Sequence, residues 1–128
     1  MKTVLITGAN KGIGFEVAKQ LAQFNHFVYL GSRDKANGLK AVNKLNELGI
    51  NNVETIEIDV ADIDSVRQAR QELESKIPSL DMLINNAGIA GEMPQDFATG
   101  DIDNLRRIFD TNFFGTVQTT QEFLSLLK

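Results

Sequence analysis

The feature that most constrains the fold is a regular alternation of short apolar runs with stretches of helical periodicity. The apolar runs, typical of strands, cover residues 3–7, 27–30, 53–58 and 80–84. The helical stretches cover 12–24, 39–48, 62–77, 101–109 and 112–127. Strands that alternate with helices of this length predict right-handed crossovers and a parallel sheet.

Three helices carry apolar residues at helical spacing, and we expect these residues to face the core. They are Ile13, Val17, Leu21 and Phe24 in the first helix, Leu39, Val42, Leu45 and Leu48 in the second, with Gly49 as its cap, and Ile63, Val66, Ala69, Leu73 and Ile77 in the third, with Asp62 as its N-cap. The third strand has polar positions that suit a sheet edge. The fourth strand has no predicted outer neighbour. We therefore predict one α/β domain over residues 1–128, a Rossmann-like, doubly wound parallel sheet of four strands in the order 3-2-1-4, incomplete at its outer side.

The composition excludes several classes of site. The chain has no Cys and a single His, which excludes Cys-ligated metal sites, thiol catalysis and His-rich metal sites. Its net charge of −4 has the wrong sign for binding nucleic acid or an anionic membrane. No apolar run approaches the ~18–20 residues of a membrane helix. We expect a soluble cytoplasmic protein that binds no nucleic acid, no membrane and no metal.

The first strand runs directly into a glycine-rich segment, Thr7-Gly8-Ala9-Asn10-Lys11-Gly12-Ile13-Gly14, in which a helix begins. Gly8 can take a tight turn without a Cβ penalty, Gly12 lets the backbone approach a phosphate, and Gly14 lets the helix lie close to the strand. Backbone N–H groups and the positive helix end would then face the pyrophosphate of a dinucleotide. The spacing differs from G-x-G-x-x-G and is not that of a Walker A loop. The alternative is a glycine-rich turn that binds no ligand.

The residues after the second strand predict which dinucleotide binds. An acid there accepts from the adenosine ribose of NAD, whereas a cation pairs with the 2′-phosphate of NADP. Ser32 stands where the acid is expected, Arg33 follows it, and Lys11 can approach the same phosphate. Two cations near a dianion favour NADP. Two alternatives are that Asp34 binds the ribose of NAD, or that Arg33 and Asp34 are only solvated loop charges.

With these residues and two later motifs, the sequence resembles the short-chain dehydrogenase/reductase family over the whole chain. The matching motifs are the glycine loop, Asp59-Val60 after the third strand, Asn85-Asn86-Ala87-Gly88 after the fourth, and Asn112 within Thr-Asn-Phe-Phe-Gly-Thr. The NADPH-dependent carbonyl reductase branch is the most similar. The resemblance implies cofactor-binding roles for Gly8, Asn10, Lys11, Gly12, Ile13, Gly14, Arg33, Asp59, Val60, Asn86, Ala87 and Gly88.

Each of these later residues also has a simpler interpretation. Asp59 can accept from the adenine amino group, or it can cap the following turn. Asn85 and Asn86 can brace the first strand, or they can only close a turn. Asn112 lies on an apolar helical face, where a buried amide needs partners. The resemblance implies a catalytic role for Asn112 in a proton relay, and a helix cap is the alternative.

The resemblance implies hydride transfer between the nicotinamide of NADP(H) and a small-molecule carbonyl, with a Tyr in a Y-x-x-x-K motif as proton donor. That motif is absent: the only Tyr, Tyr29, belongs to the second strand and is expected in the core, and His26 is expected on the surface. The simplest hypothesis is a partial chain of an NADPH-dependent reductase of aldehydes, ketones or quinones that is inactive alone. The alternative is a non-catalytic module that binds a nucleotide or a partner chain, including a second copy or a missing C-terminal half.

Overall fold

A computed structural model describes residues 1–89 and 98–127 of the chain. The strands are β1 (Thr3–Ile6), β2 (Phe27–Ser32), β3 (Val53–Glu57) and β4 (Met82–Ile84). The helices are α1 (Gly12–Gln23), α2 (Lys35–Glu47), α3 (Ile63–Lys76), α4 (Ile102–Phe109) and α5 (Gly115–Phe123), and the π-helical turn Asp110–Phe114 joins the last two. Within the described residues, no helix is long and apolar enough to cross a membrane.

The four strands form one parallel sheet in the order β3-β2-β1-β4, as predicted. The more polar β3 lies at one edge, which confirms its expected place. Because all the strands run the same way, their carboxyl ends meet at one edge of the sheet. Parallel α/β sheets bind their ligands at this edge.

Helices cover both faces of the sheet, so the fold is doubly wound. On one face, Val4 and Val28 pack with Ala18 of α1 and Leu45 of α2. On the other face, Leu5, Tyr29 and Ile56 pack with residues of α3 and with Phe123, which is fully buried at the end of α5. The prediction that Tyr29 belongs to the core is confirmed, since only 4% of it is exposed.

The predicted apolar faces of α1 and α2 are partly wrong. Ile13 and Phe24 are 78% and 76% exposed, and Leu39 and Leu48 also face outward. The other predicted residues are confirmed: Leu45 is fully buried, and Val17, Leu21 and Val42 pack against the same core. The remaining buried positions are small, namely Gly14, Ala18 and Ala22 in α1, and Gly38 and Ala41 in α2. Small side chains let a helix lie close to a neighbouring segment, so they share the buried face with the apolar residues. Gly49 does follow α2 with a positive φ of 83°, as its predicted capping role requires.

The last third of the described chain differs in detail from the prediction. The expected strand 80–84 is shortened to Met82–Ile84, because Leu80 instead forms a parallel bridge with Leu127. The expected helix 112–127 begins at Gly115 and ends at Phe123. An irregular stretch as long as Gly88–Gly100 is typical of a functional loop, so the sequence predicts a role for it, but residues 90–97 lie outside the described residues.

Candidate functional site

The glycine loop after β1 has the backbone geometry that its composition predicts. Gly8 and Gly12 have φ values of 62° and 64°, a region that other residues adopt with strain. A Cβ on Gly8 would lie 2.8 Å from the Cα of Ala87. A Cβ on Gly14 would overlap the side-chain nitrogen of Asn86 and lie 2.8 Å from the Gly8 carbonyl oxygen. Gly12 differs, because a Cβ there would meet nothing within 4 Å, so its backbone is open to an approaching group.

The N-terminus of α1 lacks the cap that other helices of this protein have. Lys11 precedes α1 with an extended backbone and makes no capping hydrogen bond, and the first turn holds no acidic residue. By contrast, α2, α3 and α4 are each capped by an aspartate carboxylate, from Asp34, Asp62 and Asp101. A helix start without a cap leaves N–H donors and positive potential available to an anion.

Thr7 joins the glycine loop to the end of β4 by hydrogen bonds, a role that was not predicted from the sequence. Its buried Oγ1 accepts hydrogen bonds from the backbone N–H groups of Asn86 and Ala87, each at 3.0 Å. The Asn86 side chain donates to the Gly8 carbonyl at 3.1 Å, so the predicted bracing role fits Asn86. It does not fit Asn85, whose exposed amide donates to Thr120 of α5 instead. A polar residue at the end of the apolar run 3–7 was the available signal for Thr7.

The segment after β2 lies directly beside the glycine loop. The N–H of Ala9 donates to the Gly31 carbonyl at 2.8 Å and thereby joins the two loops. Ser32 is buried, and its hydroxyl donates to the carbonyl of Asp34 at 2.8 Å. The Asp34 carboxylate accepts from the N–H of Asn37 and caps α2. Arg33 is exposed and forms no ion pair with any described residue.

The Asp59-Val60 turn after β3 is fixed by several hydrogen bonds. The N–H of Asp59 donates to the Ser65 hydroxyl at 2.8 Å, and its Oδ1 accepts from the N–H of Ala61 at 3.0 Å. The carboxylate therefore does cap its own turn, which was the simpler interpretation. Its second oxygen accepts no hydrogen bond from a described residue. The Val60 carbonyl accepts from Gln118 of α5 at 2.6 Å.

A cavity of about 380 Å³ opens beside this turn, between the ends of β2 and β3 and helix α3. Arg33 is the only cation among its described lining residues, whereas five lining residues carry carboxylates: Glu57, Asp59, Asp62, Asp64 and Glu72. The interior of this cavity therefore repels anions. A phosphate would be stabilised only at the side where Arg33 lies.

Asn112 lies on the π-helical turn, and its side chain binds the backbone that follows β4. Its Oδ1 accepts from the N–H of Ile89 at 2.8 Å, and its Nδ2 donates to the Ile89 carbonyl at 2.7 Å. The prediction of a buried amide is wrong, because Asn112 is exposed. Its amide nevertheless accepts one hydrogen bond and donates another, and it caps no described helix. Gly88 leaves room for this pair, since a Cβ there would lie 3.2 Å from the Asn112 oxygen.

Tyr29 packs in the core and His26 lies before the start of β2, so neither is among the residues that follow the strands at the carboxyl edge. Burial, together with the charge of Glu54, raises the pKa of Tyr29, so its phenol holds its proton more tightly than usual. His26 lies immediately before β2, at the opposite end of that strand from Arg33. We predicted that His26 lies on the surface, and this is only partly right, because the residue is half-buried. Its Nδ1 is buried and has no hydrogen-bond partner among the described residues.

The topology brings most of the predicted site residues to the carboxyl edge of the sheet. The glycine loop, Arg33, Asp59-Val60 and Asn86-Ala87-Gly88 follow β1, β2, β3 and β4 in turn. Within the glycine loop, Asn10 is half-buried, and Lys11, Gly12 and Ile13 are exposed. The exposure of Ile13 places an apolar side chain at the opening of the loop.

Comparison with known proteins gives a consistent result. The family profile described as short chain dehydrogenase matches residues 2–128. A short-chain dehydrogenase of Penicillium roqueforti is 40% identical over 98% of this chain and 49% of its own length. Carbonyl reductase [NADPH] 1 of Bos taurus is 39% identical over 97% of this chain and 44% of its own. The chain thus spans about half the length of the curated relatives it matches.

Solved structures show the same fold. A 3-ketoacyl-(acyl-carrier-protein) reductase from Brucella melitensis, complexed with NADH, is 29% identical with a TM-score of 0.86, over 98% of this chain and 49% of that one. Salutaridine reductase from Papaver somniferum is 26% identical with a TM-score of 0.88, over 98% of this chain and 53% of that one. On the sequence match over residues 2–128 and the shared fold, this chain belongs to the short-chain dehydrogenase family.

Proposed function

We propose that the chain binds NADP(H), with the pyrophosphate at the start of α1. The observation that carries this proposal is the uncapped N-terminus of α1 beside an open Gly12. Glycines at positions 8 and 14 are needed because a Cβ there would collide with the end of β4 or with the loop itself. The residues present therefore fit a dinucleotide phosphate.

The preference for NADP over NAD rests on Arg33 and Asp34. Asp34 caps α2, because one oxygen of its carboxylate already accepts from the backbone N–H of Asn37. Arg33 is exposed on the neighbouring loop and has no ion-pair partner among the described residues. A guanidinium binds a phosphate through charge-assisted hydrogen bonds. The relatives do not decide between the two cofactors. The name of the Bos taurus carbonyl reductase includes NADPH, whereas the Brucella melitensis reductase structure is a complex with NADH.

We propose that the activity served by this site is reduction of a small-molecule carbonyl, an aldehyde, ketone or quinone. NADP(H), when bound, supplies the hydride. The residues of this chain bind and orient the cofactor, and Asn112 fixes the backbone after β4 through Ile89. The only Tyr of the chain is buried. We therefore expect these 128 residues to bind the cofactor without turning over a substrate.

The test compares two glycine-to-aspartate variants. Gly12 and Gly49 both have positive φ, and at both a Cβ meets nothing within 4 Å. Gly12→Asp and Gly49→Asp therefore introduce the same charge and similar backbone strain, but only Gly12→Asp places a carboxylate in the loop. We expect Gly12→Asp to abolish NADPH binding in calorimetric titration and Gly49→Asp to retain it. Equal binding by both variants would refute the placement of the phosphate.

A second candidate function is association with another copy of the chain. One observation favours it: Phe109, Phe113 and Phe114 are each more than half exposed on the α4 side of the molecule. Exposed aromatic patches mark interaction surfaces. Sedimentation equilibrium of the unmodified chain and of Phe113→Ser would show whether a dimer forms and whether this face is needed for it.

A further inference from the structure

The contact between Gln118 and Val60 joins two distant parts of the chain at the proposed cofactor site. Gln118 lies on α5, and its Nε2 donates to the Val60 carbonyl oxygen at 2.6 Å. Val60 is only 4% exposed. It belongs to the turn after β3, next to the cavity that Asp59 and Arg33 line.

Gly115 brings α5 close enough for this contact. It lies one turn before Gln118 on the same face of the helix. A Cβ on Gly115 would be 2.9 Å from the Val60 carbonyl oxygen and 3.0 Å from its Cγ2. In α5, Gly115 therefore leaves room for the Val60 carbonyl, and Gln118 donates a hydrogen bond to it.

The other hydrogen bonds of the turn hold Asp59 and leave this carbonyl to Gln118. Ser65 accepts from the Asp59 N–H, and the Asp59 carbonyl accepts from the N–H of Asp62 at 3.0 Å. Gln118 is the only side chain among the described residues that donates to the Val60 carbonyl. Without it, a largely buried carbonyl would lose its hydrogen bond, which is unfavourable, and the turn would shift to reach water.

We infer that Gln118 is a positioning residue, whose amide holds the Asp59-Val60 turn in the conformation that the adenine half of NADP(H) requires. This inference rests on the proposed function, because it assigns a second helix to the same nucleotide site. In this role Gln118 acts through the Val60 carbonyl.

The experiment compares Gln118→Met, which keeps the length of the side chain and removes the donor, with Gln118→Lys, which restores a donor. Gln121→Met is the matched control, because Gln121 is an exposed residue of the same helix. Each variant is titrated calorimetrically with NADPH and with 2′,5′-ADP, which represents the adenine half alone. A purely structural role would lower the number of binding sites, whereas a positioning role changes Kd at unchanged stoichiometry.

We expect Gln118→Met to weaken both ligands by the same factor, about three- to tenfold for one lost hydrogen bond. Gln118→Lys should recover most of the affinity, and Gln121→Met should match the unmodified chain. The inference is overturned if Gln118→Met binds like Gln121→Met, or if it weakens NADPH without weakening 2′,5′-ADP. If Gln118→Met does not fold, Gln118→Glu replaces it, with the same loss expected at neutral pH and the same overturning results.

The unmodified chain separates this inference from the proposed function. If it does not bind NADPH, the proposed function fails. If it binds and the Gln118 variants bind equally well, only the role of Gln118 fails.

Discussion

Substitution of Gly14 by Ala tests the close approach of α1 to the end of β4. Alanine is normally better than glycine in a helix by about 0.5–1 kcal/mol, so a helix without tertiary constraints would be stabilised. At Gly14 the new Cβ would overlap the Asn86 side-chain nitrogen and lie 2.8 Å from the Gly8 carbonyl oxygen. The backbone at Gly14 does not have a positive φ, so Ala adds no backbone strain there. Any loss of stability in Gly14→Ala therefore comes from the collision.

The structure gives the magnitude. Overpacking typically costs about 1–3 kcal/mol. The displaced Asn86 also loses its hydrogen bond to Gly8, which is worth about 1 kcal/mol. After the helix-propensity gain is deducted, we expect Gly14→Ala to lower the free energy of unfolding by about 1–3 kcal/mol. For a chain of this size that corresponds to a fall in Tm of roughly 3–10 °C.

Thermal and urea denaturation followed by circular dichroism, without nucleotide, measure this change. In an Asn86→Ala background the same substitution should cost less, because one of the two colliding groups is gone, and the double-mutant cycle reports the difference. A Gly14→Ala variant as stable as the unmodified chain, or more stable, would refute the described packing of the loop.

Three further predictions concern β2 and the loop that follows it. Arg33→Ala should weaken NADPH binding by about 10- to 100-fold and leave NADH binding nearly unchanged, because only NADPH carries the 2′-phosphate. Equal losses of NADPH and NADH affinity in calorimetric titration would contradict the role of Arg33. Asp34→Ala should destabilise the fold by about 1 kcal/mol in thermal melts through loss of the α2 cap; a selective loss of NADH binding would instead make Asp34 the ribose ligand. Burial and Glu54 raise the pKa of Tyr29 above its ordinary value of 10.0, so the folded state holds this proton more tightly than the unfolded state does. Stability should therefore fall as pH rises above 10 and fall less in Tyr29→Phe, as measured by urea midpoints across that range.

The strand order of the sheet was predictable because it depends on the alternation of strands and helices along the chain and not on individual contacts. Buried apolar runs separated by helices leave few allowed topologies, and the polar positions of β3 placed it at an edge. The helix faces were harder to predict. At Ile13 and Leu39 hydrophobicity predicted burial, but both side chains are exposed. The neighbouring glycines take the close contacts instead: Gly14 packs on the loops after β1 and β4, and Gly38 packs on β2 and β3.

In the candidate site, too, features set by neighbouring residues were predictable from the sequence, and features that depend on distant residues were not. The tight turn at Gly8 was predicted from the residue type and the strand before it, and Gly8 has a positive φ. The positive φ of Gly12 was not predicted. The roles of Thr7 and Gln118 did not, because each depends on a partner more than 50 residues away in the chain. The amide of Asn112 was predicted to need partners, but only the structure shows that they belong to Ile89.

Whether the glycine loop and Arg33 bind NADP(H) is decided by calorimetric titration of the folded, unmodified chain with NADPH and, separately, with NADH. We expect one site per chain and a Kd for NADPH at least about tenfold lower than that for NADH, because Arg33 contacts the 2′-phosphate. Absence of NADPH binding by the folded chain, or tighter binding of NADH, would contradict this expectation.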